Sequence, residues 1–331
     1  EVISTYGAQE NANRAVASGA LEGLKANNIS IISPAEVPIV PVKPKKLMNI
    51  LLAIILGSIG GVGLAFFFEY LDDTIKDPEE LEHVTNWPLL GSAPVIDADN
   101  KMSEFEKDIF VHTNPKDPAS EAYRSFRTNV IFSSTEEHPL KSLLITSPGP
   151  GEGKTITLCN LGVAIAQSGK TVLLIDGDMR KPRLHEVFNK TNQEGLSNFL
   201  CGQSKLEAIV QKTSIDNLSI TSSGAIPPNP SELLVSHKLK EFLSLAREKF
   251  DYVIFDSPPI IMLTDASLIA RAVDGTVIVV ESNKTSKRAL NRIVKNLKDH
   301  RIRIIGSFFN KVAITSKNYY NYAYYSHYAP K

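Results

Sequence analysis

A glycine-rich turn between an apolar strand pattern and an apolar helix pattern constrains the fold of this chain more than any other feature. The turn reads SPGPGEGKT and covers residues 147–155, with the apolar run 143–146 before it and the helical pattern 155–167 after it. A helix that begins this way presents free backbone N–H groups and the positive end of its dipole, and both attract an anion. The sequence therefore predicts a phosphate-binding loop between a strand and a helix.

The last residues of this loop suit a nucleotide triphosphate with a divalent cation. Lys154 can reach the β- and γ-phosphates, and the Thr155 hydroxyl can ligate Mg²⁺. The match to the usual P-loop is imperfect, because Pro148 stands where glycine is expected. The alternative is a glycine-rich turn with an ordinary surface lysine, but the flanking strand and helix favour ATP and Mg²⁺. The residues expected to contact ATP are Gly149, Pro150, Gly151, Glu152, Gly153, Lys154, Thr155 and Ile156.

Two further strand patterns end in carboxylates. The run LLIDGDMR contains Asp176 and Asp178, and the run VIFDSPP contains Asp256. Open parallel sheets bind ligands at the carboxyl ends of their strands, so these side chains should meet beside the loop. A single aspartate at such a place could cap the following helix. Three of them beside a phosphate loop are better explained by a hydrated Mg²⁺ and a proton acceptor.

Strand and helix patterns alternate from residue 119 to residue 312, which predicts an α/β fold with a doubly wound parallel sheet of the P-loop NTPase type. The predicted strands are 143–146, 171–176, 217–221, 252–256, 275–280 and 302–309, and the predicted helices include 119–132, 231–249, 264–272 and 285–299. The chain has equal numbers of basic and acidic residues, so no basic surplus points to a nucleic acid partner. Cys159 and Cys201 lack metal-site spacing and are expected to be reduced core residues.

An uncharged stretch precedes this domain. Residues 47–68 contain no charge and would form a helix of about 33 Å, enough to cross a hydrocarbon core of about 30 Å. The alternative is a buried helix of a soluble protein. We expect a transmembrane helix, an extracytoplasmic helical fragment with a Pro-rich connector over residues 1–46, and a cytoplasmic linker over residues 69–118.

The charges around this stretch conflict with the ATP chemistry. Basic residues precede it and acidic residues follow it, so the positive-inside rule alone would place the C-terminal domain outside. ATP chemistry requires the cytoplasmic side. The first helix of a membrane protein usually sets its topology, so we expect a further span upstream and the C-terminal domain in the cytoplasm.

The chain ends in a tyrosine cluster. Six of its ten tyrosines lie in the last stretch of residues 313–331: Tyr319, Tyr320, Tyr322, Tyr324, Tyr325 and Tyr328. The stretch lacks apolar periodicity, so we expect an exposed and flexible tail. A low-complexity aromatic tail without chemistry is the alternative.

Taken together, these stretches resemble the bacterial tyrosine autokinases (BY-kinases) of the polysaccharide co-polymerase family. The resemblance runs from about residue 34 to the C-terminus and is carried by PVKPKK, EYLDDTIKDPEEL, EAYRSFR, SPGPGEGKT, LLIDGDMRKPRLHEVF, GAIPPNPSELL, DYVIFDSPP and the tyrosine tail. The chain differs from the family at its N-terminal end, where the family has a first membrane helix and a larger extracytoplasmic region. It implies an ATP-dependent tyrosine kinase in the bacterial inner membrane that regulates capsule or exopolysaccharide assembly.

The resemblance also implies roles for single residues. Lys154 and Thr155 contact phosphate and Mg²⁺, Asp178 and Asp256 are the metal-side carboxylates, and Asp176 accepts the tyrosine proton. Arg180 either helps with phosphate charge or fixes the acidic loop. The residues Glu121, Arg124 and Arg127 match the family's subunit-contact element, although without the family they are ordinary helix-surface pairs.

The implied partners are other copies of the chain, the membrane, the export machinery and a phosphatase. The copies would form a ring-like homo-oligomer, with an octamer as one candidate size. The six tail tyrosines would be phosphorylated between subunits. Polysaccharide polymerase and export proteins would respond to this cycle, and a tyrosine phosphatase would reset it.

Two other functions stay open on the sequence alone. One is a partition-type or cell-division-type ATPase switch, although those proteins carry a second lysine where this chain has Gly149. The other is a polysaccharide chain-length regulator whose nucleotide domain acts as a conformational lever without catalysis.

Overall fold

The structure, a computed structural model, describes residues 10–19, 43–96, 108–261 and 264–313. The chain divides into two compact units, Glu1–Leu71 and Asp72–Lys331. The first unit contains helix α1 (residues 10–19) and helix α2 (Lys46–Leu71). Helix α2 has 26 residues, no buried residue and an 18-residue window with a mean hydropathy of 2.5. It includes the uncharged stretch 47–68, so the chain carries one candidate membrane-spanning helix within its described part.

The second unit is built on a sheet of eight strands. The strands are β1 (Leu89–Pro94), β2 (Ser142–Thr146), β3 (Val172–Asp176), β4 (Gln211–Lys212), β5 (Leu218–Thr221), β6 (Tyr252–Asp256), β7 (Gly275–Glu281) and β8 (Ile304–Val312). Their order is β1-β8-β7-β2-β6-β3-β5-β4, and every pair is parallel except β4 with β5. The predicted doubly wound sheet is therefore confirmed, with one antiparallel edge strand added.

Helices cover both faces of this sheet. They are α3 (Pro78–Thr85), α4 (Phe110–Thr113), α5 (Pro118–Phe132), α6 (Lys154–Ala166), α7 (Leu184–Val187), α8 (Leu196–Leu200), α9 (Leu206–Ile209), α10 (Pro230–Val235), α11 (His237–Lys249), α12 (Thr264–Ala272) and α13 (Lys287–Asp299). Strands β2 and β3 are buried along their whole length, as expected when helices lie on both faces of a parallel sheet.

Two apolar clusters fill the spaces between the sheet and its helices. On the face of α5 and α6, the Phe308 ring packs against Tyr123 and Phe126, with ring centroids 5.4 and 4.4 Å apart. On the face of α11 and α12, Phe242 packs edge-on against Phe255. The strand that leads into the phosphate loop therefore lies in the middle of a rigid sheet.

The segment 72–96 differs from the linker expected over residues 69–118. Strand β1 pairs in parallel with β8, and Ile75 is fully buried and donates its N–H to the Thr285 carbonyl at 2.9 Å. Residues 108–118 also belong to the second compact unit, so the domain begins at Asp72 and not at residue 119. The prediction missed β1 because the strand is short and contains Gly91. A Cβ at Gly91 would lie 3.1 Å from the Phe126 Cβ, so close packing against α5 favours glycine there.

Two smaller expectations are corrected. The helix predicted over 231–249 is two helices, because Ser236 between α10 and α11 has extended backbone angles. Cys159 is buried as expected, whereas Cys201 is exposed. Cys201 caps the C-terminal end of the five-residue helix α8, and the apolar side of that helix is formed by its other residues.

Candidate active site

The phosphate loop connects β2 to α6 at the centre of the sheet. Helix α6 begins at Lys154, and Gly151 and Gly153 adopt φ angles of 73° and 90°. These angles lie in the left-handed region that favours glycine, and a Cβ at Gly153 would also collide with the Asn310 amide. The turn therefore needs these glycines to direct its backbone N–H groups around the start of α6, where an anion binds.

The three predicted aspartates meet beside this loop. Strand β6 lies between β2 and β3, and the sheet register places Asp256 next to both Ile145 and Asp176. Asp178 follows β3 by two residues. The strand order of the fold, which the sequence pattern does not specify, is therefore what brings the carboxylates and the phosphate loop to one edge.

Lys154 and Thr155 contact these carboxylates directly. The Lys154 Nζ lies 3.2 Å from both Asp256 carboxylate oxygens and 3.7 Å from Asp178 Oδ2. The Thr155 hydroxyl donates to Asp256 Oδ2 at 2.6 Å and lies 3.2 Å from the Lys154 Nζ. Asp256 is 1% and Asp178 5% exposed, so the two carboxylates are almost entirely removed from solvent.

Burial and mutual repulsion set the charge states of this cluster. Burial and the neighbouring Asp256 carboxylate raise the pKa of Asp176 to about 7. Burial likewise raises the pKa of Asp256, against the opposing effect of the Lys154 charge. Burial alone would lower the pKa of Lys154, but the carboxylates of Asp256 and Asp178 outweigh it and raise that pKa. The lysine therefore stays protonated, as a phosphate contact requires.

The Asp176 and Asp178 carboxylates also hold the loop that follows β3. Asp176 Oδ2 accepts the N–H groups of Arg183 and Leu184, both at 2.9 Å, and Asp176 Oδ1 accepts the Asp178 N–H at 3.2 Å. Asp178 Oδ1 accepts the N–H groups of Arg180 and Lys181. Asp176 is fully buried, and the three hydrogen bonds that its carboxylate accepts all come from backbone N–H groups.

Arg180 does not contact the carboxylate cluster through its guanidinium. Its Nε donates to Asp265 Oδ2 at 2.8 Å, and Asp265 also accepts a hydrogen bond from the Ser231 hydroxyl. Asp265 is 1% exposed, which makes it a buried anchor between the loop after β3, helix α10 and helix α12. Sequence reasoning missed Asp265 and Ser231, since the aspartate near the start of α12 reads as an ordinary acidic residue of a first helical turn.

The other residues predicted to contact the nucleotide lie in the phosphate loop and in the first turn of α6. Pro150 and Gly151 are exposed at its tip, Gly149 is half-buried, and Ile156 lies in the first turn of α6. Glu152 is buried, and its side chain contacts protein donors on the far side of the loop. Its side chain is therefore occupied by protein contacts, and its contact with ATP stays a prediction for its backbone N–H.

The donors around Lys154 suit a magnesium-bound nucleotide. Among the described residues, no group of three or more acidic, histidine or cysteine side chains could form a metal cage. Mg²⁺ commonly takes only one or two protein oxygens and completes its shell with waters and substrate phosphates. The Thr155 hydroxyl with the Asp256 and Asp178 carboxylates fits that limited role, and the glycine turn fits the phosphates.

The residues predicted to form the subunit contact lie on α5. Arg124 forms an ion pair with Glu121 at 2.9 Å and donates to the Pro115 carbonyl, and Arg127 donates to the Ala164 carbonyl on α6. All three line one open surface cavity. The contact between subunits stays a prediction. The six tail tyrosines lie outside the described residues, so their expected modification also stays a prediction.

Two family models match the chain. The AAA domain (AAA_31) matches residues 143–307, and GNVR, the “G-rich domain on putative tyrosine kinase”, matches residues 10–69. The first begins in β2 and ends within β8, and the second covers α1 and nearly all of α2.

Named relatives and solved structures extend these matches. The tyrosine-protein kinase YwqD of Bacillus subtilis is 40% identical over 223 residues, which cover 67% of this chain and 94% of YwqD. The tyrosine-protein kinase etk of Escherichia coli K12 is 30% identical over 311 residues, which cover 89% of this chain and 42% of etk. The chain thus spans nearly all of YwqD but about two-fifths of etk.

Among solved structures, the chimerical protein CapA2B2 is 34% identical, covers 72% of this chain and is itself matched over its whole length, with a TM-score of 0.66. The BceF tyrosine kinase domain is 36% identical and covers 72% of this chain, with 99% of that domain matched and a TM-score of 0.66. A phosphate loop, three strand-end carboxylates and these matches lead to one conclusion: the chain belongs to the bacterial tyrosine-protein kinase family.

Proposed function

We propose that this protein is an ATP-dependent tyrosine autokinase that phosphorylates tyrosines of its own C-terminal tail and thereby regulates assembly and export of capsular or extracellular polysaccharide. The observation that carries this proposal is the buried cluster of Lys154, Thr155 and Asp256 beside the phosphate loop. The names of the relatives support transfer to tyrosine.

In this proposal the chain's own residues bind and orient the phosphates. The N–H groups of the glycine turn and the start of α6 hold the phosphate oxygens, and Lys154 moves from the Asp256 carboxylate to the terminal phosphates. Thr155, Asp178 and Asp256 would hold Mg²⁺. Magnesium-bound ATP supplies the phosphoryl group and neutralises its charge.

Asp176 is the proposed acceptor of the tyrosine proton. Free tyrosine has a pKa near 10, so a nearby base assists attack at neutral pH. The tyrosine oxygen forms a bond to the γ-phosphorus, the bond from that phosphorus to the bridging oxygen breaks, and the proton goes to the carboxylate. Since Asp176 is fully buried and accepts three backbone N–H groups, this role requires the loop 178–184 to move and expose one carboxylate oxygen to the tyrosine. Arg180 is proposed to fix that loop through Asp265.

The cellular setting is part of the proposal. Helix α2 anchors the protein in the bacterial inner membrane with the kinase domain in the cytoplasm, and copies form a ring through Glu121, Arg124 and Arg127. Each phosphotyrosine adds a charge of about −1.5 to −2, so a heavily phosphorylated tail would repel the acidic site and release the ring. A tyrosine phosphatase would reverse this step, and the cycle would act on the polymerisation and export machinery.

The test is incubation of the purified protein with Mg²⁺ and ATP labelled at the γ-phosphate. We expect label on tail tyrosines, and none in a variant whose six tail tyrosines are phenylalanine. Label released only as free phosphate would instead identify an ATPase switch, and neither product would identify a non-catalytic lever.

Transfer between subunits has its own test. A Lys154→Met chain that keeps its tail is mixed with an active chain whose tail is removed. We expect label on the inactive partner, and an unlabelled tail would show that transfer stays within one chain.

A further inference from the structure

The phosphate loop contains a buried carboxylate that the proposed chemistry does not use. Glu152 is 3% exposed, its Oε2 accepts the Gly149 N–H at 3.0 Å, and its Oε1 accepts the Thr285 hydroxyl at 2.7 Å. One side chain thus connects the beginning of the turn to a loop 133 residues away in the sequence.

Thr285 is a fixed anchor for this carboxylate. It is 3% exposed, and its hydroxyl accepts the Glu281 N–H at 3.1 Å while donating to Glu152. Its carbonyl accepts the Ile75 N–H at 2.9 Å. The loop after β7 is therefore hydrogen-bonded on both sides, and Glu152 is attached to it through Thr285.

The same side of the turn has further attachments. The Asn310 Nδ2 donates to the Glu152 carbonyl at 2.9 Å, and Lys284 and Lys311 donate to the Gly151 carbonyl at 3.0 and 3.3 Å. Both lysines also pair with Glu281. The outer side of the phosphate loop is thus attached to the C-terminal ends of β7 and β8, while its inner side faces the nucleotide site.

We propose that Glu152 is a positioning residue that holds the phosphate loop in its binding conformation, with Thr285 as its partner on the loop after β7. This inference rests on the proposed nucleotide site. The glycines of the turn allow many conformations, so the Gly149 N–H and its neighbours must be ordered before they can bind phosphate. The hydrogen bonds to Glu152 order them before ATP arrives, which favours binding without touching the reacting atoms.

The test compares variants at both ends of this tie by their Kd for a fluorescent ATP analogue with Mg²⁺, measured well below each melting temperature. Thr285→Val removes the hydroxyl at nearly constant shape, and Thr285→Ser, the matched control, keeps it. We expect Thr285→Val to raise Kd about tenfold, which corresponds to the loss of one hydrogen bond, and Glu152→Ala, which also frees the Gly149 N–H, to raise it at least as much. Thr285→Ser should bind like the wild type.

Two further readouts separate positioning from general destabilisation. At saturating ATP the turnover of folded Thr285→Val should stay within about twofold of the wild type, since the reacting groups are intact. In the double variant Glu152→Ala/Thr285→Val the rise in Kd should match that of Glu152→Ala alone, because Glu152→Ala already removes the hydrogen bond between the two side chains. Each single variant removes the hydrogen bond between Glu152 and Thr285, so the proposal can be tested if only one of the two variants folds.

Several results would overturn the inference. These are a wild-type Kd in Thr285→Val, equal losses in Thr285→Ser and Thr285→Val, or Kd increases that multiply in the double variant. A wild-type protein that does not bind the analogue would instead contradict the proposed nucleotide site, so the two failures are distinguishable.

Discussion

Replacement of Lys154 by methionine should destabilise the nucleotide-free protein as well as prevent phosphate transfer. The Lys154 charge lies 3.2 Å from the Asp256 oxygens and 3.7 Å from Asp178 Oδ2, in a cluster where both aspartates are almost fully buried. Removal of one partner from a buried ion pair costs about 3–5 kcal/mol, because it leaves a charge without compensation. The Lys154 side chain keeps 15% exposure, so we expect a loss near the lower end, about 3 kcal/mol.

This loss can be measured as a shift in melting temperature. For a domain of this size, about 1 kcal/mol shifts Tm by roughly 2–4 °C, so Lys154→Met should melt about 6–12 °C below the wild type without nucleotide. Differential scanning calorimetry in a chelator-containing buffer measures the shift. Excess ATP with Mg²⁺ should raise the Tm of the wild type and leave that of the variant unchanged.

A second variant tests the physical reason for the shift. Lys154→Met/Asp256→Asn removes one of the uncompensated charges and should recover part of the lost stability, although neither variant should transfer phosphate. If nucleotide-free Lys154→Met melts within about 2 °C of the wild type, less than the effect of about 1 kcal/mol, the lysine does not compensate these carboxylates. A lower melting temperature in Lys154→Met/Asp256→Asn than in Lys154→Met would also contradict the explanation that an uncompensated charge causes the loss.

Two other predictions concern assembly and pH. Replacement of Glu121, Arg124 and Arg127 by alanine should leave the domain folded and shift its mass in solution toward the monomer. The control, neutralisation of the exposed Lys238–Glu241 pair on α11, should leave that mass unchanged. Oligomers of unchanged mass in the triple variant would exclude the α5 contact. Burial raises the pKa of Glu152 to about 7 from its ordinary value of 4.5, so the folded protein keeps a proton there that the unfolded chain has lost. The stability of the wild type relative to Glu152→Gln should therefore fall as pH rises from about 4.5 to about 7 and stay level above that range; a difference in urea midpoints that does not change with pH would contradict this.

Features with local causes could be predicted from the amino-acid sequence. Three such features are each contiguous in the sequence: the glycine turn ending in Lys154 and Thr155, the carboxylates that follow apolar strands, and the uncharged stretch 47–68. Backbone geometry explains the first two, and the transfer of apolar side chains out of water explains the third. The alternation of strand and helix patterns sufficed for a doubly wound sheet, because parallel strands need crossover connections.

Contacts between distant residues depend on the folded arrangement of the strands and could not be predicted from local patterns. The order of β2, β6 and β3 brings Asp256 between the phosphate loop and Asp176, and no local pattern encodes that order. Strand β1 forms because β8 offers it a pairing edge, although its own short sequence with Gly91 is a weak strand signal.

The buried carboxylates around the site also depend on partners that are distant in the sequence. Asp265 pairs with Arg180 across 85 residues, and Glu152 meets Thr285 across 133. Each carboxylate looks like a solvent-exposed acid in the sequence. Burial and a hydrogen-bonding partner from another element make it structural, and those two conditions exist only once the chain is folded.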